Sequence, residues 1–161
     1  MSAEGVSTSE EDTQNLGKTL GALLKPGDII LLTGDLGAGK TQFAKGIALA
    51  LGIKKPILSP TFNIVLEYRE GQDGRVLLRH FDLYRLEKEE ELDDIDYFGM
   101  LEDDVISVVE WGDKFSGALP EDYLLIDFVF EDETTRTLRY GAAGKRGQVL
   151  LGAVEEVLDG R

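Results

Sequence analysis

The stretch Asp28-Ile29-Ile30-Leu31-Leu32-Thr33-Gly34-Asp35-Leu36-Gly37-Ala38-Gly39-Lys40-Thr41 decides how this chain is read. The aliphatic run Ile29 to Leu32 suits a strand buried on both faces, as in a parallel sheet. Gly34 to Thr41 matches the pattern G-x-x-x-x-G-K-[ST]. A helical pattern follows, with Phe43, Ile47, Ala50 and Leu51 on one side and Gly52 and Pro56 closing it. Strand, glycine loop and helix in this order make a phosphate cradle. Successive backbone N–H groups, those of Leu36 and Ala38 among them, must converge on phosphate oxygens; side chains at Gly34, Gly37 or Gly39 would block them. The helix points its positive end at the anion. Lys40 supplies a point charge for the β- and γ-phosphates, which makes it a catalytic candidate too, and Thr41 offers its hydroxyl to magnesium. The expected ligand is a nucleoside triphosphate with Mg2+, which the later motifs narrow to ATP.

Outward from this stretch, strands and helices alternate early and hairpins are added later. Ser9-Glu10-Glu11-Asp12 reads as a helix start, with Ser9 as N-cap and an acidic first turn. Leu16, Leu20, Leu23 and Leu24 share one face of that helix, and Pro26-Gly27 ends it. Residues 63–68 and 75–81 read as a hairpin, 87–94 as a short acidic helix, and 105–109 as another buried strand. Residues 123–130 and 135–140 make a second hairpin, and 146–158 an amphipathic helix. The pattern predicts one α/β domain over residues 1–161, a P-loop NTPase. Its sheet is mixed and mainly parallel, with helices on both faces and antiparallel hairpins. Residues 1–8 are expected to be flexible.

The chain carries 17 basic and 31 acidic residues among its 161, a formal charge of −14. Such a surface repels nucleic acid, DNA included, so an RNA-linked role has to run through a partner. There are no cysteines, which excludes disulfides, thiolate metal sites and cysteine nucleophiles. The first 13 residues are polar and acidic, unlike a signal peptide, and no apolar run reaches the length of a membrane span. The expected location is the cytoplasm.

A P-loop protein needs a second acidic residue near its metal, at the end of a neighbouring buried strand. Glu110 follows Val105-Ile106-Ser107-Val108-Val109, and Asp82 follows Val76-Leu77-Leu78-Arg79-His80-Phe81. The first run is more continuously apolar, which favours Glu110 as the metal ligand and leaves Asp82 for the γ-phosphate or the attacking water. Ser59-Pro60-Thr61-Phe62 stands where nucleotide switches sense the γ-phosphate through a hydroxyl, here that of Thr61, although Pro and Ser also favour plain turns. His80 is the only histidine and Trp111 the only tryptophan. A lone histidine is more often structural than catalytic, and a lone tryptophan more often fills a boundary pocket than stacks on a nucleotide.

In this order and spacing the motifs resemble the TsaE family, also named YjeE, the ATPase subunit of the bacterial machinery that makes threonylcarbamoyladenosine in tRNA. The matching residues are Leu16-Gly17, Pro26-Gly27-Asp28, Gly34 to Thr41, Leu51-Gly52-Ile53, Ser59 to Phe62, His80-Phe81-Asp82-Leu83-Tyr84-Arg85, Val109-Glu110-Trp111 and Leu119-Pro120. The likeness runs from about Ser9 to about Tyr140. It implies that Thr41 and Glu110 hold magnesium, that Asp82 acts near the γ-phosphate, that the Ser59–Phe62 loop is a switch, and that Trp111 lies beside the nucleotide. It also brings Glu10 and Arg136 to the nucleotide, and it implies homologues of TsaD and TsaB as partners, with tRNA held by them. Gly112 departs from the proline common at that place, which bears on local loop shape alone.

Two other readings of the same motifs are a small P-loop kinase and a nucleotide-gated binding module. A kinase of that type needs a basic lid over the phosphates, whereas the segment after Arg85 is acidic. A guanine-reading Asn-Lys-x-Asp is excluded, because the only asparagines, Asn15 and Asn63, do not start one.

Overall fold

The aliphatic run becomes strand β2 (Ile29–Gly34), and Ile30, Leu31 and Leu32 are wholly closed to solvent. The computed structural model describes residues 3–34, 39–58, 60, 63–71 and 73–160. Among them, β2 lies at the middle of a seven-stranded sheet. The other strands are β1 (Ala3–Ser7), β3 (Val65–Arg69), β4 (Val76–Asp82), β5 (Ile106–Glu110), β6 (Tyr123–Phe130) and β7 (Arg136–Ala143). Their spatial order is β1-β7-β6-β2-β5-β4-β3. Strands β6, β2, β5 and β4 are mutually parallel. The antiparallel partners lie outside them: β3 on β4, β7 on β6, and β1 on β7. The sheet is mixed and mainly parallel, with both hairpins at its flanks, as the alternation of patterns implied.

Side-chain alternation divides the core into two layers. Ile30, Leu32, Ile106, Val108, Leu124 and Ile126 pack under helices α1 (Glu10–Gly21), α2 (Lys40–Ala50) and α5 (Gly144–Asp159). Ile29, Leu31, Phe81 and Val109 face the opposite side, toward α3 (Glu91–Asp94), α4 (Tyr97–Leu101) and the residues around Leu83 and Leu86. Helices therefore cover both faces, long on one and short on the other. None of the described helices is long and apolar enough to cross a membrane.

One expectation changes, and two elements are new. Within the lead, Ala3 to Ser7 pair with Tyr140 to Arg136 as an edge strand that the sequence pattern does not announce. The acidic helix over 87–94 shrinks to Glu91–Asp94, because the Glu91 carboxylate turns back to accept the N–H groups of Glu87 and Lys88. Helix α4 was not anticipated; its Tyr97 is fully buried and donates its O–H to Ala118 O at 3.1 Å.

Helices α1 and α2 approach so closely that glycine is required between them. A Cβ built on Gly17 would lie 2.1 Å from Phe43 O, and one on Gly46 2.0 Å from Gln14 O. This contact brings the N-terminus of α1, capped by Ser9 Oγ accepting from Asp12 N, alongside that of α2. Gly→Ala inside a helix normally gains up to about 1 kcal/mol. At Gly46 the sign should reverse, because the new methyl meets backbone, and overpacking costs about 1–3 kcal/mol. The expected outcome for Gly46→Ala is a thermal midpoint lower by roughly 3–10 °C, measured by circular dichroism; an unchanged or higher midpoint would contradict the close approach.

Candidate functional site

The carboxyl ends of the parallel strands open onto a cavity of about 480 Å³. In open α/β sheets this is where ligands bind. Strand β2 ends at Gly34, whose φ is +118°. A Cβ there would stand 2.5 Å from Phe128 O, so chain direction and space both demand glycine. The central loop residues 35–38, with Leu36, Gly37 and Ala38, lie outside the described residues, as do Ser59, Thr61 and Phe62. The chain is described again at Gly39, the N-cap of α2, with φ +101°. Lys40 opens the helix. Only 4% of it is exposed, its Nζ donates to Gly34 O at 2.8 Å, and the ammonium lies 4.5 Å from the centre of the Trp111 ring. Thr41 lies in the first turn and lines the cavity.

Two acidic side chains face this helix start because of strand register. Asp82 and Glu110 end β4 and β5 and are direct partners in the ladder. Both are buried, at 8% and 4% exposure. Burial pushes the Asp82 carboxyl above its ordinary pKa, and the neighbouring Glu110 charge adds to that; the Tyr84 N–H, His80 and Lys40 act against it. Asp82 Oδ1 accepts from Tyr84 N at 3.0 Å. Glu110 Oε2 lies 2.6 Å from His80 Nε2, and the His80 ring is completely buried.

The far wall comes from segments distant in sequence. Thr8, Ser9, Glu10 and Thr13 bring the N-terminus of α1, and Glu133, Thr134 and Arg136 bring the β6–β7 turn. Glu10 and Arg136, expected on resemblance alone to reach the ligand, thus line the same cavity as Lys40, Thr41, Asp82 and Glu110. Arg136 donates to Thr135 O at 3.1 Å and stacks 4.5 Å over the Phe130 ring. Trp111 is not a wall residue; it meets the site through Lys40 and packs 5.1 Å from Tyr84, centre to centre.

Sequence reasoning missed Thr8, Thr13, Gln42, Glu133 and Thr134 on the wall, and the His80–Glu110 pair. A signal existed only for the last: His80 and Glu110 both stand within the C-terminal three residues of buried strands. The donor set at the α2 end is one hydroxyl and two carboxylates, hard oxygens of the kind Mg2+ takes. The N-terminus of α2 and Lys40 together make the adjoining region suited to an anion.

A buried strand, a glycine turn with positive φ, a helix opened by lysine, and acidic ends on parallel neighbours together define a P-loop NTPase-like fold. Comparison with known proteins narrows this. The family model described as threonylcarbamoyl adenosine biosynthesis protein TsaE matches residues 7–138. The tRNA threonylcarbamoyladenosine biosynthesis protein TsaE of Bacillus subtilis is 39% identical over 140 residues, covering 87% of this chain and 85% of that protein. The protein of the same name from Treponema pallidum is 42% identical over 116 residues, 72% of this chain and 83% of its own. The crystal structure of Bacillus subtilis YdiB superposes with a TM-score of 0.79 at 31% identity, covering 98% of this chain and 96% of that one. The chain belongs to the TsaE family, as its motifs implied.

The raised pKa of Asp82 has a consequence for stability. The folded state holds that proton more tightly than the unfolded chain does. The stabilisation is therefore complete below the unfolded pKa and is lost as pH rises through the folded value. Asp82→Asn, which removes the charge and keeps the shape, is expected to raise the thermal midpoint at about pH 7.5. The gain should shrink as pH falls toward about 4. A midpoint lowered at both pH values would contradict the stated balance.

Proposed function

We propose that this chain is the ATP-binding and ATP-hydrolysing subunit of the machinery that forms threonylcarbamoyladenosine in tRNA, working in the cytoplasm on homologues of TsaD and TsaB. The observation that carries the reading is the convergence of Lys40, Thr41, Asp82 and Glu110 on one cavity at the N-terminus of α2. Family membership supports the pathway. ATP is favoured over GTP because the sequence lacks Asn-Lys-x-Asp.

In this reading Gly34 to Gly39 wrap the phosphates with backbone N–H groups, and Lys40 leaves Gly34 O for a phosphate oxygen. Thr41 and Glu110 would hold Mg2+, which would supply charge neutralisation at the phosphates. Asp82, buried beside Glu110, orients the attacking water. Thr61 in the Ser59–Phe62 loop senses the γ-phosphate. Glu10 and Arg136 border the rest of the nucleotide, and Trp111 reports on it through Lys40. The −14 surface supports contact with tRNA only through partners. Hydrolysis is slow alone and completed by an ordering step on the partner pair, as in GTPases that await an activating protein.

Lys40→Ala should remove nucleotide binding, read by isothermal titration with ATP and Mg2+, and with it the support of tRNA modification in a reconstituted reaction. Full modification activity with this variant would sink the proposal. Asp82→Ala should keep ATP affinity within a few-fold while hydrolysis falls about 10²–10⁴-fold, the scale of a lost general base or water contact. Equal loss of binding and turnover would make Asp82 a binding residue instead.

A further inference from the structure

Resting on the proposed Mg–ATP site, we infer that His80 is the positioning residue of that site, and that its Nε2–H sets the rotation of the Glu110 carboxylate. The argument starts from what a histidine costs at this place. Position 80 lies on β4, on the same strand face as Leu78 and Asp82, and is wholly buried. An aliphatic side chain there would pack without any polar demand. A buried histidine–carboxylate pair is weak evidence for stability, since desolvating both groups offsets their attraction. This pair is also incompletely satisfied, because Nδ1 has no hydrogen-bond partner among the described residues. A purely structural histidine would be expected to use both nitrogens.

The geometry gives the pair another purpose. His80 is two residues before Asp82 on β4, and Asp82 stands in register with Glu110 on β5. The His80 Nε2–H therefore reaches diagonally to Glu110 and binds one oxygen, Oε2, at 2.6 Å. Two consequences follow. The other Glu110 oxygen carries no hydrogen bond among the described residues, so it remains for a cation in the cavity that Glu110 lines. The tether also holds Glu110 off Lys40. That ammonium makes no ion pair among the described residues and rests instead on Gly34 O and the Trp111 ring. A Glu110 free to rotate would be drawn to the buried Lys40 ammonium and would neutralise the charge meant for phosphate. Hydrogen bonds to a metal-binding carboxylate or histidine typically matter by 10–100-fold in metal affinity.

Two amides of equal polarity separate positioning from structure. Gln at this position places its N–H₂ near the site of Nε2, whereas Asn places it near Nδ1. His80→Gln and His80→Asn are compared with the intact protein by Mg2+ titration in the presence of ATP, read from the fluorescence of Trp111, the only tryptophan, with thermal unfolding run in parallel. The expected result is a half-saturating Mg2+ within a few-fold of wild type for His80→Gln and about 10–100-fold higher for His80→Asn. ATP binding without Mg2+ should be alike in both. Equal Mg2+ dependence in the two variants would overturn the positioning role while leaving the Mg–ATP site standing. If the intact protein showed no Mg2+ dependence at all, the proposed metal site itself would fall, and the inference with it.

Discussion

Two carboxylates end in register at the C-terminal tips of buried parallel strands, and much of the site follows from that constraint. Asp82 and Glu110 are side by side because β5 lies between β2 and β4 and all three run the same way. Like charges so placed resist being ionised together. The fold answers with three nearby groups. The Tyr84 N–H binds Asp82, the His80 ring binds Glu110, and the Lys40 ammonium acts on Asp82 from the start of α2. Each of these is fixed by backbone: a turn just after β4, a strand position two residues earlier, and a helix whose first residue is pinned by Gly39. The arrangement keeps negative charge concentrated where a cation is proposed to sit.

That concentration sits in an already acidic protein, so binding a triphosphate has to be a local achievement. The means are short-range. Two helix N-termini, of α1 and α2, meet at one cavity, and each presents the positive end of its dipole. They can be neighbours only because Gly17 and Gly46 let the helices touch backbone to backbone. Long-range attraction over such a surface is unfavourable, and screening at physiological salt limits the repulsion to about 8 Å. Backbone donors at the helix starts, the buried Lys40 and Arg136 are what the cavity offers inside that distance.

The sequence was legible where a signal is local. The aliphatic run of β2 declares burial on both faces, the Ser9 cap and its acidic turn declare a helix start, and the two hairpins declare themselves by strand patterns around polar turns. Legibility failed where structure is made by partners. Strand β1 is five residues with a mixed burial pattern, and only its pairing with β7 makes it a strand. Helix α4 follows Asp96, a non-glycine residue at φ +53°, a conformation held by its surroundings. In the acidic stretch before it, Glu91 prefers to cap its own turn rather than extend a helix. The same division applies to the site. The glycine loop and the two acidic strand ends could be read, whereas the wall from Thr8 to Thr13 and from Glu133 to Arg136 depends on how α1 and β7 fold back. Resemblance alone placed Glu10 and Arg136 there.

The position of Trp111 follows from the same economy of backbone. It comes directly after Glu110, has φ +61°, and donates its N–H to Leu32 O, across from β5 to β2. A bulky residue accepts that conformation only when its neighbours enforce it. Here the reward is a ring placed under the Lys40 ammonium, where a cation–π contact offers the lysine partial compensation for burial. Such a contact is weaker than a carboxylate would be, and weakness suits the place: a lysine locked in an ion pair could not exchange Gly34 O for an incoming anion. The tryptophan, the tethered glutamate and the glycine turn therefore act together to keep one buried charge available.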